Sequence, residues 1–347
     1  MKLSAKLFTI RHNSRFIHSV IVASSKGRWI NCKPDRMQEA FVNINEIPTH
    51  VMTWGKWIEE SFADHEREVV ICITGNPGLP GFYTQFLSTL HNNLDAKTPV
   101  WVIGHAGHDE PSASSVRKVP PLSGNESKFE LNAQLKHKIE FIETYVPAHV
   151  KIHLIGHSIG AWMILQLLKE SRIKDRLQKC YLLFPTVERM AVSPNGVVFT
   201  KLVLPVFFAV RMLAKFVNCL PISLRVLMIS AYFWITSTPR FFLGTTLKYL
   251  RPTILDCVVH LAKEEMERVT DLEVDIVQDN VDLLKFYYGT TDGWVPVKYY
   301  DEIKVRVPGI DAELDEFRIS HSFVLREAVP MGEIVADWIK RYSVKAS

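Results

Sequence analysis

At 347 residues, with 47% hydrophobic side chains, the chain has room for one large domain with an insertion or for two domains, and ample material for a core. A net charge of +4, 22% charged residues and no basic run threaded with aromatics argue against a nucleic-acid partner. The 5 cysteines show no paired spacing, and Cys72 and Cys180 fall inside apolar segments; they read as reduced thiols in a cytosol-facing protein and not as a disulfide framework.

Residues 1–36 carry Lys2, Lys6, Arg11, Arg15, Lys26, Arg28, Lys33 and Arg36 against the single acid Asp35. The composition is similar to that of a transit peptide, and the segment is expected to be a basic, disordered extension with no part in catalysis. A targeting role, or an alternative start at Met37, stays open. Residues 39–45 and 50–57 pattern as an antiparallel hairpin at a sheet edge. Residues 68–74 (EVVICIT) are the first long apolar strand, and Gly75-Asn76-Pro77-Gly78 follows directly. A loop in that place can aim a backbone N–H at a developing negative charge, so the Asn76 N–H is a candidate oxyanion donor. Pro77 has no N–H to offer but stiffens the loop; a plain Asn-Pro-Gly turn is the alternative. A helix is expected over residues 82–94, a strand over 100–104, a polar loop over 109–125 and a long amphipathic helix over 126–145. His105 and His108 have the spacing of a ligand pair, but no third ligand stands near them. No metal is therefore expected, and the pair reads as lining a loop beside the site.

Residues 150–162 read VKIHLIGHSIGAW. An apolar strand over 150–155 runs into Gly156-His157-Ser158-Ile159-Gly160, a G-x-S-x-G turn, and then into a helix over 161–168. The glycines let the backbone bend sharply on both sides of Ser158, lifting its hydroxyl clear of the sheet at the positive end of the following helix. A serine so placed is a nucleophile that needs a base. The N–H of Ile159, the next residue, is the other candidate oxyanion donor. The motif alone is common; the strand before it and the helix after it make it specific.

After a strand over 179–184 the alternation breaks at Pro185. From 189 to 255 there is no Asp or Glu, while Arg189, Lys201, Arg211, Lys215, Arg225, Arg240, Lys248 and Arg251 are scattered among many aromatics. On a helix, Arg211, Lys215 and Asn218 fall on one face, with Phe207, Phe208, Met212, Leu213 and Phe216 over most of the rest. Pro205 and Pro221 are expected to interrupt the helices, and the uncharged runs fall short of the ~20 residues that span a bilayer. A cap that lies in a lipid interface, with basic groups meeting phosphates, fits this pattern; a hydrophobic cap packed on its own core is the alternative. Phe207, Phe208, Arg211, Leu213, Lys215 and Phe216 are the candidate lipid-contact residues.

Two further elements complete a reactive set. A strand over 282–289 ends in a turn that carries Asp292, and a short last strand over 313–320 precedes His321. In the order Ser, Asp, His, the later pair can serve Ser158: His321 as the base, Asp292 fixing its tautomer. Taken singly, Asp292 is a turn-forming residue and His321 a loop histidine. The alternation of strands and helices calls for a mostly parallel, doubly wound sheet of α/β class, with a core over 37–185 and 266–347 and a helical cap insertion over 186–265.

The chain resembles the lipid droplet-associated hydrolases of the α/β-hydrolase superfamily. The resemblance is carried by TGNPG at 74–78 with Phe82-Tyr83 close behind, GHAGH at 104–108, LNAQLKHKIEFI at 131–142, LIGHSIG at 154–160, LLFPTVERMAVSPNG at 182–196 and FYYGTTDGWVP at 286–296. It implies an α/β-hydrolase fold, a triad of Ser158, Asp292 and His321, and no cofactor. It also implies a protein of the lipid droplet and endoplasmic reticulum that acts on lipid esters, sterol esters among them; the unpaired cysteines and the short uncharged runs of the cap add the expectation of binding from the cytosolic face without spanning. Thr74 stands where many related hydrolases have a histidine. A droplet surface protein with weak or vestigial hydrolysis is the competing expectation.

Overall fold

The computed structural model describes residues 37–63 and 66–346; the basic extension over 1–36 lies outside the described residues. Strands β1 (Met37–Ile44), β2 (Ile47–Trp54), β3 (Glu68–Ile73), β4 (Val100–Ile103), β5 (Lys151–His157), β6 (Leu177–Leu183), β7 (Leu284–Tyr288) and β8 (Asp311–Leu314) form a single sheet in the order β1-β2-β4-β3-β5-β6-β7-β8. The β1–β2 hairpin is antiparallel and β2 is antiparallel to β4. Every other pair is parallel.

The central strands are apolar on both faces because helices cover both. In β3, Val69, Ile71 and Ile73 enter one core while Val70 and Cys72 enter the other. The helices Leu131–Tyr145 and Ile159–Leu167 pack on the first side, and Thr84–Asn93 with Ala328–Ala346 on the second. The last strand is shorter than sequence patterning predicts. It stops at Leu314 because Asp315, 2% exposed, gathers the next turn around its carboxylate. That carboxylate accepts bonds from the Phe317 and Ile319 amides at 3.1 and 2.7 Å and from the Tyr287 hydroxyl at 2.6 Å. The loop it shapes, not a strand end, delivers His321.

Between β6 and β7 the chain leaves the sheet. Pro194–Val198, a wide turn over Phe199–Val203 and the helix Leu204–Cys219 run on as one apolar helix of 26 residues. Pro205 does not break it, contrary to the sequence expectation. The wide turn just before it leaves Pro205 in the first turn of the next segment, where a missing N–H leaves no bond unmade. Pro221 does separate this helix from the next, Ile222–Thr236. By length and composition alone the longer helix could cross a membrane.

The basic residues of this segment divide into two sets, which sequence patterning does not foresee. Arg211 grips Asp256 at 2.7 and 3.0 Å, Lys248 reaches Asp109 at 3.0 Å and Arg251 reaches Glu110 at 2.6 Å. Arg189 pairs with Glu188 and Glu302. Arg189, Lys248 and Arg251 clamp the insertion to the body, while Arg211 ties two of its own helices together. Asn218 bonds the Leu250 carbonyl at 2.8 Å, so the expected polar stripe of Arg211 and Asn218 faces inward. Lys201, Lys215 and Arg240 stay exposed.

The deepest clamp centres on His50, which holds Asp109 at 2.8 Å through Nδ1 and Glu39 at 3.1 Å through Nε2. Burial opposes charge on this ring, but the two carboxylates outweigh it and hold its pKa above the ordinary range. Asp109 is 4% exposed and serves both His50 and Lys248. Replacing it with Asn leaves the buried His50 ring and the partly exposed Lys248 short of a counter-charge. Asp109→Asn should therefore cost roughly 3 kcal/mol in urea unfolding. A loss under ~1 kcal/mol would mean that the network contributes little.

Candidate active site

The reactive geometry begins with a strained residue. Ser158 has φ 54° and ψ −122°, a conformation that L-residues avoid. It is held there from both sides. The Ser158 amide donates to the Leu183 carbonyl on β6 at 3.0 Å, and the Ser158 carbonyl accepts the first helical bond, from Ala161, at 2.9 Å. Gly160 is required by contact: a Cβ there would lie 2.4 Å from the Ile73 carbonyl oxygen. A Cβ on Gly156 would lie 2.7 Å from the Gly160 carbonyl carbon. The helix Ile159–Leu167 thus starts pressed against β3 and β5.

His321 Nε2 lies 3.0 Å from Ser158 Oγ, and His321 Nδ1 lies 2.6 Å from Asp292 Oδ2. A carboxylate can only accept, so Nδ1 carries the proton and Nε2 is free to receive one from the serine. Asp292 keeps its turn role as well. Its Oδ1 accepts the Trp294 and Val295 amides at 2.7 and 3.1 Å, which fixes the carboxylate while Oδ2 serves the histidine. The imidazole sits among His157, Phe184 and Trp294, with ring centroids at 5.3, 5.8 and 6.5 Å. The three side chains are thus in line, and the arrangement can move a proton from hydroxyl to imidazole.

The second loop meets the first at Gly75. A Cβ on Gly75 would stand 2.9 Å from Ser158 Cβ, so Asn76 follows a residue in contact with the serine. Ile159 is fully buried as the first residue of its helix. The Asn76 side chain turns away, donating to the Val258 carbonyl and Glu265 Oε1, both at 3.0 Å. His108 Nδ1 bonds the Pro77 carbonyl at 2.8 Å, and a Cβ on Gly78 would meet the His105 ring at 2.6 Å. This histidine pair backs the loop. Among the described residues no group of three or more His, Cys, Asp or Glu side chains is placed to hold a metal.

Sequence reading does not single out Tyr83 as a functional residue, yet its hydroxyl joins every part. Tyr83 Oη accepts the Gly75 amide at 2.7 Å and lies 2.7 Å from His157 Nδ1. His157 Nε2 lies 2.9 Å from the His321 backbone carbonyl. That carbonyl can only accept, so His157 Nε2 is the donor and the Tyr83 hydroxyl donates to Nδ1. The loop that begins at Gly75, the serine turn and the histidine loop share one chain of bonds. An aromatic eight residues past Gly75 was the one available signal.

These geometries define the class. The chain has the α/β-hydrolase fold, with a serine on a strained strand-to-helix turn facing a histidine and a carboxylate from later loops. A family model for lipid-droplet associated hydrolases matches residues 66–324, and the chain belongs to that family. A lipid droplet-associated hydrolase of Drosophila melanogaster is 60% identical over 307 residues, covering 88% of this chain and 99% of that one. That of Homo sapiens is 31% identical over 315 residues, covering 88% and 95%. Among solved structures, a serine hydrolase from Cycloclasticus zankles aligns with TM-score 0.56 at 12% identity over 88% of this chain and 98% of that one. A laboratory-evolved potato epoxide hydrolase aligns with TM-score 0.58 at 13% identity over 88% and 100%. At such identities the likeness is one of fold alone.

Burial holds His157 down to about 3 and His108 down to about 4, so both rings are neutral at pH 7. The unfolded chain would take up these protons from about pH 6.5 downward, and the folded chain resists until well below. The stability that these two neutral rings contribute is therefore full above pH 6.5 and is lost as pH falls toward 4. The urea midpoint should drop steadily between pH 7 and pH 5; a level midpoint over that range would contradict the neutral, buried assignment.

Proposed function

We propose that this protein is a serine ester hydrolase acting on lipid esters, sterol esters among them, at the surface of lipid droplets. The observation that carries this reading is the hydrogen-bonded line from Ser158 through His321 to Asp292. In this scheme Ser158 Oγ attacks the ester carbonyl carbon as its proton passes to His321 Nε2. The carbonyl oxygen takes the negative charge and faces the Ile159 and Asn76 amides. Collapse breaks the bond to the alcohol, which leaves with the proton from His321, and an acyl-serine remains. Water then attacks, gives its proton to His321, and the acid leaves as Ser158 recovers its hydrogen. Dehalogenases and epoxide hydrolases of this fold place an Asp at the turn, where this chain has Ser158.

The cap insertion over 186–265 is read as the lipid-binding surface. The helices Leu204–Cys219 and Ile222–Thr236 bury little beyond Ala214, Ile229 and Phe233. Phe208 is 74% exposed, Trp234 81% and Ile235 73%, with Leu213, Phe216 and Leu227 beside them. A patch of this size on a lone soluble protein marks an interaction surface. Phe207 is only half-buried, and Arg211 is held by Asp256, so Lys201, Lys215 and Arg240 are the better candidates for phosphate contact. The clamps to the body, and a second helix of 15 residues, favour helices lying in the interface on the cytosolic side of the droplet and endoplasmic reticulum. The names of the relatives point to the same surface.

Ser158→Ala should abolish labelling by a fluorophosphonate probe and hydrolysis of ester substrates, with the fold intact. His321→Ala should lose about as much, and the double change little more. Labelling of Ser158→Ala at the wild-type level would sink the scheme. Replacing Phe208, Leu213, Phe216 and Trp234 with Ser should release a fluorescent fusion from droplets into the cytosol, whereas Ser158→Ala should stay bound. Undiminished droplet coating by the four-fold variant would place the anchor elsewhere.

A further inference from the structure

The hydrolysis scheme leaves one buried carboxyl beside the site unused. Glu265 is 3% exposed on the helix Pro252–Arg268 and forms no ion pair among the described residues. A carboxyl without a counter-charge is costly to bury, and something must be gained where it sits. Its bonded neighbour is Asn76: Nδ2 lies 3.0 Å from Glu265 Oε1 and 3.0 Å from the Val258 carbonyl. Val258 and Glu265 are seven residues apart, about two turns, and so share one face of the helix. The Asn76 amide is therefore held at two points on that face.

We propose that Glu265 is a positioning residue for the oxyanion loop: with the Val258 carbonyl it fixes the Asn76 side chain, and so orients the Asn76 backbone N–H toward the oxygen of the reacting ester. The proposal rests on the oxyanion role of Asn76 set out above. Two further features support it. Burial pushes the Glu265 carboxyl up to about 8, so at pH 7 it is a neutral acceptor and needs no cation beside an ester site. Asp256, which holds Arg211 at 2.7 Å, lies nine residues before Glu265, about two and a half turns away and on the opposite face. One helix thus touches the apolar helix Leu204–Cys219 on one side and the oxyanion loop on the other.

The chemistry predicts a specific pattern. A bound ester contacts neither Glu265 nor the Asn76 side-chain amide in this reading, so affinity is spared. Transition-state stabilisation is not, because a displaced N–H meets the growing charge poorly; removal of a whole oxyanion donor costs about 100- to 1,000-fold in rate. Gln can accept the same bond as a neutral Glu, and Leu cannot.

The test uses the full chain and a soluble ester, p-nitrophenyl butyrate, at pH 7. Glu265→Leu should lower kcat about tenfold or more, with KM changed less than about twofold, and Glu265→Gln should recover most of the loss. Asn76→Ala keeps the backbone N–H but removes the tether, and should reproduce the kcat loss. It also serves if Glu265→Leu fails to fold. A wild-type kcat in Asn76→Ala, equal losses in the Gln and Leu variants, or a change confined to KM would each overturn the proposal. Fluorophosphonate labelling of Ser158→Ala separates the two levels. If that variant is dead and Glu265→Leu is normal, only the role of Glu265 fails; if Ser158→Ala still turns over ester, the hydrolysis scheme itself is wrong.

Discussion

The rest of the site hangs on the backbone of Ser158. Its φ of 54° stores strain of about 1–3 kcal/mol, which the surrounding fold must hold in place. It is held because there is no room to relax: Gly160 lies against the Ile73 carbonyl, Gly156 against Gly160, and the Ser158 amide is bonded to β6. A turn so confined points the hydroxyl out of the sheet and gives later loops a fixed target. It also fixes where the neighbouring loop can go, since Gly75 passes against the serine itself.

From that fixed point the polar network is nearly determined. His157 is the residue before the serine, and its two nitrogens bond Tyr83 on one side and the His321 carbonyl on the other. Burial keeps the ring neutral, so its one proton must go to the carbonyl and its lone pair to the tyrosine. Each segment that supplies a reactive group is then tied to the same turn. Precision comes from these second contacts as much as from the reacting groups, because the geometry tolerates only small displacements.

The insertion between β6 and β7 sorts its side chains by chemistry. Arg211, Lys248 and Arg251 meet acids on the body or on the neighbouring helix, while phenylalanine, leucine and tryptophan face outward. A self-contained cap would show the reverse, with aromatics inside and cations in water. An apolar surface of this kind costs free energy in water and gains it in hydrocarbon, which supports the proposed place of the insertion at a lipid boundary. The acid depletion over 189–255 is half an inward device and half an outward one.

Local pattern sufficed for much of the fold and for naming three side chains, Ser158, His321 and Asp292, that the structure brings into contact. The G-x-S-x-G turn needs only its own residues and its neighbours' periodicity, and the Asp292 turn and His321 follow in the order such chemistry uses. The central strands, too, were legible, since a core on both faces leaves a continuous apolar run. Other features depended on partners far along the chain. The early end of β8 comes from Asp315 drawing the turn around itself, and Pro205 is absorbed by a wide turn over Phe199–Val203. The inward aim of Arg211 needed Asp256, 45 residues away. The roles of Tyr83 and Glu265 needed contacts 74 and 189 residues away in sequence, with His157 and with Asn76. Periodicity reports which face of an element is apolar; it carries no information on which polar groups meet when distant elements pack, and that was decided by the tertiary structure alone.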